Sequence, residues 1–222
     1  MSYAYLAALG WEARPLIYTL ELLTQGNPQS KISRAYIILT PIENSYYIGR
    51  LMQARIEVER ILKHKGIKTV NIEFKDPYDI PSMIISLVKL LRELNQRGYK
   101  TFVNITTGRK TVSLAIYLAS CFQANAIERI VYLSEEGQKL INVPYTLMSI
   151  SLCKEERRVL QVLSEDALQT IDELYRKTRT PKYRLYRIIN RLANRILLHK
   201  IRTGRYLFIR RTEMGNVALK LD

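Results

Sequence analysis

Short apolar segments and longer amphipathic segments alternate along the first 150 residues of the chain. Apolar runs of strand length predict five β-strands, at residues 3–9, 35–40, 69–74, 101–106 and 129–133. Apolar positions spaced three and four apart predict helices at residues 14–24, 47–64, 81–97 and 110–124. Residues 130–133 and 139–143 are typical of a hairpin at a sheet edge. This alternation predicts an α/β fold, a Rossmann-like and mostly parallel sheet with helices on both faces.

From residue 151 the pattern changes to helices followed by a basic hairpin. Helices are predicted at residues 154–164, 171–177 and about 181–196, the second with a capping box of Thr170 and Glu173. Thr180 is the predicted cap of the third helix, with Pro181 in its first turn. Residues 197–201 and 206–210 predict two paired strands. This order is typical of a small winged helix-turn-helix, so we predict two domains, 1–150 and 151–222.

Positive charge is concentrated in the second predicted domain. The chain has 35 Lys and Arg against 20 Asp and Glu, a net charge of +15. Residues 1–150 contain 18 basic and 12 acidic side chains, whereas residues 151–222 contain 17 and 8, a net charge of +9. Such an excess favours a polyanionic partner, and 12 of the 17 basic residues are arginines, which suit bidentate contacts with phosphates and guanine.

Composition excludes several other classes of protein. With 47% apolar and 25% charged residues the chain is typical of a soluble globular protein. No apolar run approaches the ~18 residues of a membrane span, so we expect no membrane partner. The amino terminus has no basic leader before its apolar run, which favours a cytoplasmic protein. Two isolated cysteines exclude a disulfide framework or a cysteine zinc site.

The third predicted helix of the second domain has one apolar face and one basic face. Five apolar residues lie at positions i, i+3, i+4, i+7 and i+11, from Leu185 to Ile196, and four arginines recur at spacings of three and four on another face. In helix-turn-helix proteins the first turns of the second helix reach base edges, while a hairpin can enter a neighbouring groove. The predicted contacts with double-stranded DNA are Thr180, Lys182, Tyr183, Arg184, Arg187, Arg191, Arg202 and Arg205. Double-stranded RNA and a protein partner are the alternatives, as is a merely solvated basic face.

Three loops follow the carboxyl ends of predicted strands, where open parallel sheets bind ligands. In residues 106–110, two threonines and a glycine precede a helix that begins with Arg109 and Lys110, a combination that favours an anion such as phosphate. The predicted ligand-binding residues are Gly10, Trp11, Arg14, Glu43, Asn44, Thr106, Thr107, Gly108, Arg109 and Lys110. The alternative is structural: Thr106 caps the helix, Gly108 makes the turn and Trp11 packs. No dinucleotide or P-loop motif is present.

The sequence from Asn104 to Lys110, Asn-Ile-Thr-Thr-Gly-Arg-Lys, resembles the second signature of the CRISPR-associated Rossmann fold (CARF) family, roughly Asn-x-Thr-Gly-Gly-Thr-Lys. Thr107 and Arg109 depart from that signature. Residues 9–11, Leu-Gly-Trp, match the other ligand-binding segment of the family. A CARF domain followed by a winged helix-turn-helix resembles the archaeal CRISPR-associated transcriptional regulators, so the resemblance covers the whole chain.

The resemblance implies a role in antiviral defence as a ligand-responsive regulator. It implies a homodimer that binds a cyclic oligoadenylate, most often cyclic tetra-adenylate, across its two-fold axis. A ring with two-fold symmetry matches two copies of a basic loop in an isologous dimer, and such a dimer presents two helices to a pseudo-palindromic DNA site. A ligand that prefers one arrangement of the subunits would then change the affinity for DNA.

No catalytic residue, metal site or cofactor is predicted from the residues themselves. The two histidines, His64 and His199, have no adjacent carboxylate or cysteine motif. The resemblance leaves one enzymatic alternative, a slow metal-independent ring nuclease. In it a ribose 2′-hydroxyl attacks its own phosphate while Arg109 or Lys110 stabilises the developing charge. A second alternative is a non-enzymatic adaptor whose winged helix contacts a protein.

Overall fold

A computed structural model describes residues 2–25, 32–41, 45–135, 139–146, 148, 151–204 and 206–221, without the side chains of residues 45 and 46. The chain divides into two compact units, Met1–Met148 and Ser149–Asp222. Three residues of the predicted sites, Glu43, Asn44 and Arg205, lie outside the described residues.

The first unit contains a six-stranded sheet with strand order β3-β2-β1-β4-β5-β6. Its strands are β1 (Ser2–Ala8), β2 (Ile32–Leu39), β3 (Lys68–Glu73), β4 (Tyr99–Asn104), β5 (Ile127–Leu133) and β6 (Leu140–Asn142). Strands β1 to β5 are parallel and β6 is antiparallel to β5. The predicted α/β fold with a mostly parallel sheet and an edge hairpin is therefore confirmed.

Four helices connect the parallel strands: α1 (Arg14–Gln25), α2 (Ser45–His64), α3 (Ile80–Gln96) and α4 (Lys110–Phe122). Helices α1 and α2 share a buried core with Tyr5, Ala7 and Leu9 of the β1 segment. Helices α3 and α4 pack on each other. Since successive side chains of a strand face opposite sides of the sheet, the buried Leu6 points toward this second pair of helices.

Strands β2 and β5 begin earlier than the apolar pattern predicts. Polar side chains interrupt the pattern at Arg34 and Glu128. The backbone of Arg34 pairs with Ala4, and Ile127 pairs with Thr101, with Glu128 at a register shift. Hydrogen bonds between neighbouring strands satisfy the backbone N–H and C=O groups whatever the side chain is. Polar residues at these positions therefore extend the strands instead of ending them.

The strand order reverses between β1 and β4, and this reversal determines where a ligand site can form. Strand β1 pairs with β2 on one side and β4 on the other, with Ala7 opposite Asn104 at the carboxyl end. The helices that follow these two strands lie on opposite faces, which leaves a crevice between the loops. The segments 9–13 and 105–109 therefore meet at the switch point of the sheet.

Over residues 151–204 and 206–221, the second unit contains four helices and a three-stranded antiparallel sheet of order β7-β9-β8. Its elements are α5 (Lys154–Val162), β7 (Gln169–Thr170), α6 (Ile171–Thr178), α7 (Lys182–Asn194), β8 (Leu198–Thr203), β9 (Tyr206–Arg211) and α8 (Glu213–Leu221). The three predicted helices and the hairpin are present. Strand β7 and helix α8 were not predicted, because two residues carry no periodicity and Gly215 interrupts the helical pattern.

The start of α7 differs from the prediction. Pro181 is the N-cap residue, with φ −51° and ψ 140°, and its carbonyl accepts the hydrogen bond of the Leu185 N–H at 3.0 Å. The helix therefore begins at Lys182, and no side chain in the described ranges caps it. The predicted cap by Thr180 is wrong because the proline itself is the last extended residue before the helix.

The predicted capping box at the start of α6 is confirmed. The Glu173 N–H donates to Thr170 Oγ1 at 3.3 Å, and the Thr170 N–H donates to Glu173 Oε2 at 2.7 Å. The backbone hydrogen bond from Thr170 lowers the pKa of Glu173. Because the folded pKa is the lower one, this interaction stabilises the unit above the unfolded pKa and is lost as pH falls through the folded pKa.

Replacing Thr170 by alanine is expected to lower the free energy of unfolding by about 1 kcal/mol, since the cap of α6 is lost. Urea titration at pH 7 measures the change. Thr180→Ala is the matched control, with an expected change below about 0.5 kcal/mol. Equal losses in both variants would contradict the observed capping.

Candidate functional site

A buried chain of hydrogen bonds holds the end of β4 against β1. Asn104 Nδ2 donates to the hydroxyl of Tyr5 at 2.7 Å, and that hydroxyl donates to the carbonyl of Leu16 in α1 at 3.0 Å. Asn104 Oδ1 accepts the N–H of Thr106 at 2.8 Å. Burial raises the pKa of Tyr5, so its hydroxyl keeps the proton that it donates. One asparagine thus connects β1 to the loop that follows β4.

Both threonines of the 105–109 loop use their hydroxyls within the protein. Thr106 Oγ1 accepts the N–H of Leu133 at 2.8 Å, which fastens the loop to β5. Thr107 Oγ1 donates to the carbonyl of Ala8. The structural alternative in which Thr106 caps α4 is wrong, because Arg109 is the N-cap residue and Thr106 bonds to β5 instead. In this structure the two hydroxyls position the loop.

Gly108 is required by both its backbone angle and its surroundings. Its φ is +88°, and a Cβ built on it would lie 2.4 Å from the Cβ of Ala8. A Cβ on Gly10 would lie 3.2 Å from the nitrogen of Gly108. The two glycines therefore allow the loops after β1 and β4 to approach each other backbone to backbone.

Arg109 and Lys110 follow the glycine but have different surroundings. Half-buried Arg109 donates to the Tyr78 hydroxyl at 3.3 Å and to the Pro41 carbonyl at 3.2 Å, with its guanidinium 5.8 Å from the Tyr78 ring centroid. Lys110 is the first residue of α4, is exposed, and forms no ion pair with the described residues. Lys110 and the first amides of α4 therefore provide the positive end of this crevice.

Two cavities lie on either side of the 107–110 segment. One, of about 620 Å³, is lined by Leu9, Gly10, Trp11, Glu12, Pro15, Thr40, Tyr47, Leu51, Thr107, Gly108, Arg109 and Lys110. The other, of about 630 Å³, is lined by Pro15, Ile105, Thr106, Gly108, Lys110, Ser113, Leu114, Tyr117, Tyr132, Leu133, Ser134 and Glu135. Gly108 and Lys110 contribute to both. A phosphate at this segment would have a cavity of nucleotide size on each side.

An aromatic pair borders the first cavity. Trp11 is 52% exposed and stacks on Tyr47 of α2, with ring centroids 4.3 Å apart and planes 17° from parallel. Of the predicted ligand-binding residues, Gly10, Trp11 and the segment 106–110 are brought together. Arg14 begins α1, and the linings found within the described ranges do not include it.

Sequence reasoning missed four tyrosines around these cavities. Tyr47 and Tyr78 lie near the first cavity, and Tyr117 and Tyr132 line the second. The only signal available beforehand was that Tyr47 and Tyr78 begin or precede helices that follow strand ends. Tyrosines at such positions are too common in a chain with 15 of them to indicate a site.

The predicted basic stripe of α7 is divided in the structure. Leu185, Ile188, Ile189 and Leu192 of its apolar face are buried as predicted. Ile196, also predicted on that face, lies beyond the end of the helix and is 68% exposed. Arg184 lies 3.4 Å from Glu155, and Arg191 and Arg195 lie 3.3 and 3.5 Å from Glu156, all measured between nitrogen and carboxylate oxygen. The first turn of α5 therefore pairs these three arginines with carboxylates, while Arg184 and Arg191 keep 54% and 59% of their side chains exposed.

The remaining predicted DNA contacts lie around the start of α7 and on β8. Lys182 forms an ion pair with Asp172 of α6, which raises the pKa of Lys182. Tyr183 and Arg187 are exposed on α7, Arg202 is exposed on β8, and Thr180 lies half-buried in the turn between α6 and α7. Three residues, 179–181, separate the two helices, a spacing found in helix-turn-helix motifs.

Neither a metal cluster nor a membrane helix is found in the part of the chain that the structure describes. Among those residues no group of three His, Cys, Asp or Glu side chains is placed to hold a metal ion. No helix there is both long and apolar enough to cross a bilayer. Cys121 is buried and Cys153 is exposed, and both are free thiols.

Comparison of the sequence with protein families gives one match that spans most of the first unit. The profile of the family described as CRISPR-associated protein (Cas_APE2256) matches residues 12–146. That range contains the Asn104–Lys110 loop, the aromatic pair's Tyr47 and most residues that line the two cavities. A search of curated protein sequences finds no match.

Comparison with solved structures gives distant similarities. A type III CRISPR defence DNA nuclease activated by cyclic oligoadenylate is 17% identical, with 88% of this chain and 30% of that chain aligned and a TM-score of 0.48. Can2 from Sulfobacillus thermosulfidooxidans, solved with cyclic tetra-adenylate, is 14% identical, with 98% of this chain and 57% of that chain aligned and a TM-score of 0.44. Enterococcus italicus Csm6, bound to cyclic hexa-2′-fluoro-hexa-dAMP, is 11% identical, with 88% of this chain and 49% of that chain aligned and a TM-score of 0.49. The chain spans less than two thirds of the length of each.

Proposed function

Because this chain belongs to the CRISPR-associated protein (Cas_APE2256) family, we propose that its first unit is a CARF domain that binds a cyclic oligoadenylate, with cyclic tetra-adenylate as the first choice. The observation that carries the proposal is the 107–110 segment at the switch point of the sheet. It joins a glycine turn, the start of a helix and Lys110 between two cavities of about 620 and 630 Å³.

The chemistry of this segment suits a phosphodiester flanked by bases. The amides at the start of α4 and the ammonium of Lys110 attract a phosphate. The Trp11–Tyr47 stack provides an aromatic surface for an adenine on one side, and Tyr117 and Tyr132 provide another in the second cavity. In this arrangement the hydroxyls of Thr106 and Thr107 hold the loop in position through their hydrogen bonds to Leu133 and Ala8.

A homodimer follows from the symmetry of the proposed ligand. A ring with an even number of identical nucleotides has a two-fold axis, and two copies of the basic loop facing each other across an isologous interface match it. Each protomer would then contribute one Lys110 and one aromatic pair. One ring per two chains is the expected stoichiometry.

We propose further that the second unit is a winged helix-turn-helix that binds double-stranded DNA, so that the protein is a ligand-responsive transcriptional regulator in CRISPR-based antiviral defence. The net charge of +9 over residues 151–222 supports a polyanionic partner. Helices α6 and α7 with their three-residue turn, followed by the β8–β9 hairpin, have the order of such a domain. Failure to bind any duplex, with ring binding intact, would favour the adaptor alternative.

Calorimetric titration of cyclic tetra-adenylate tests the ligand proposal. Lys110→Ala is expected to weaken binding by about 100- to 10,000-fold, because the ring loses two charge-assisted contacts with phosphate, one per protomer, each worth about 1.5–3 kcal/mol. Lys89→Ala, which removes an exposed lysine from α3, is the matched control and is expected to bind like the wild type. A wild-type protein that binds neither cyclic tetra-adenylate nor other ring sizes would contradict the proposal.

Slow cleavage of the bound ring is the second candidate function. The observation that favours it is the start of α4, where no described side chain caps the helix and Lys110 stands beside its first amides. These groups would stabilise the charge that develops when a 2′-hydroxyl attacks the adjacent phosphate. The new bond closes a 2′,3′-cyclic phosphate, the bond from phosphorus to the 5′-oxygen of the next nucleotide breaks, and that oxygen leaves as a hydroxyl that carries the proton lost by the 2′-hydroxyl. Chromatography of cyclic tetra-adenylate incubated with substoichiometric protein tests this function. Linear products in molar excess over the protein are expected of a ring nuclease. A ring that stays intact is expected of a sensor without ring-nuclease activity.

A further inference from the structure

The solvent-facing side of α7 has a chemical character different from that of its flanks. Tyr183, Arg187, Asn190 and Asn194 are spaced 4, 3 and 4 residues apart, so they share one face of the helix, and all four are exposed. The opposite side of the helix is buried in the core of the second unit. We call these four residues the outer face of α7.

The flanking arginines stabilise the helix within its own unit. Arg184, Arg191 and Arg195 are spaced 7 and 4 residues apart, which places them together on the side of α7 that meets α5. Their partners are Glu155, which is exposed, and Glu156, which is 6% exposed. Since a buried carboxylate needs compensating cations, two of these guanidinium groups are committed to Glu156.

The outer face presents the hydrogen-bonding groups that read bases. Arg187 forms no ion pair with the described residues, so its five N–H donors remain available to a ligand. Asn190 Oδ1 accepts from Lys200 Nζ of β8 at 2.8 Å, which joins the outer face to the hairpin and places a positive charge beside it. Tyr183 is 60% exposed at the amino-terminal end. A guanidinium, amides and a phenol on one helix face match base edges better than an apolar partner surface.

We infer that the outer face of α7 reads base edges in the major groove of double-stranded DNA, with Arg187 recognising guanine and Asn190 recognising adenine. The inference rests on the proposed DNA-binding function and specifies it. Arginine donates two bonds to O6 and N7 of guanine, and asparagine forms a pair of bonds with N6 and N7 of adenine. Arg184 and Arg191 contribute to the shape of the domain and to the general attraction of phosphates, but not to sequence preference.

Selection from a random-sequence duplex library, followed by fluorescence anisotropy at about 0.15 M salt, tests the inference with the full chain. The wild type is expected to enrich a motif containing a guanine and an adenine. Arg187→Ala is expected to lose about 5- to 100-fold in discrimination at the guanine, and Asn190→Ala the same at the adenine. Asn190→Gln provides a second variant in case the alanine variant is unstable.

Two arginine variants serve as comparisons. Arg158→Ala removes an exposed charge from α5 and is expected to select the wild-type motif with wild-type affinity. Arg184→Ala is expected to select the wild-type motif. Any change in its affinity for DNA is expected to be the same for every duplex sequence. Enrichment of the wild-type motif by both Arg187→Ala and Asn190→Ala, or a changed motif in Arg184→Ala, would overturn the inference.

Failure of the inference and failure of the proposed function are distinguishable. Wild-type protein that binds duplexes without enriching any motif leaves DNA binding in place and rejects base reading by the outer face. Wild-type protein that binds no duplex at about 0.15 M salt rejects DNA binding itself, and the inference with it.

Discussion

Replacing Gly108 by alanine is expected to abolish ring binding and to lower the free energy of unfolding of the first unit by about 2–5 kcal/mol. Two separate costs contribute. An L-residue at φ +88° is strained, and the new Cβ would lie 2.4 Å from the Cβ of Ala8. Because Ala8 lies in the sheet next to β4, the alanine displaces the 105–109 loop, and with it the start of α4.

Gly98→Ala separates the two costs. Gly98 also has a positive φ, +78°, but a Cβ there would meet nothing within 4 Å. This variant is expected to lose only the conformational cost, about 1–2 kcal/mol, and to bind the ring like the wild type. Trp11 is the single tryptophan, so its fluorescence during urea unfolding reports on the first unit, and calorimetry reports on binding. Equal losses of stability in the two variants would show that the backbone shifts to relieve the contact with Ala8 at no cost in free energy.

Replacing Asn104 by alanine is expected to cost about 2–4 kcal/mol of stability and to weaken ring binding at least 10-fold. The side chain is fully buried, and its loss leaves the Thr106 N–H without its acceptor and the Tyr5 hydroxyl without its donor. The loop that carries Gly108 and Lys110 then loses one of its hydrogen-bonded connections to β1 and keeps the one from Thr107 to Ala8. The same two measurements apply, urea unfolding followed by Trp11 fluorescence and calorimetric titration.

Thr101→Val on the same strand is the matched control for Asn104→Ala. Thr101 is also fully buried, but its hydroxyl has no hydrogen-bond partner among the described residues. Replacing it by an apolar group of the same shape is therefore expected to be neutral or stabilising, with ring binding unchanged. If Asn104→Ala is as harmless as Thr101→Val, the hydrogen-bond chain from Leu16 to Thr106 has no role in holding the loop.

Local patterns along the chain were sufficient for most of the fold. Alternation of strand and helix periods determined the mostly parallel sheet of the first unit, because each amphipathic or apolar segment has only one way to bury its face. The Thr170 capping box could also be predicted, since its two hydrogen bonds connect residues three apart. The same reasoning identified Gly108 and Lys110 as parts of one loop, because they are neighbours in the chain.

Relations between segments distant in the chain were decided only by the tertiary structure. No local pattern indicates that Asn104 bonds to Tyr5, 99 residues away, or that Thr107 bonds to Ala8. The pairing of Arg184 with Glu155, 29 residues away, likewise depends on how α5 packs against α7. The sequence by itself therefore determined the elements other than β7 and α8, and the residues of the loop. Only packing decided which polar side chains support the protein and which remain available to a ligand, because a hydrogen bond between distant residues exists only once the chain is folded.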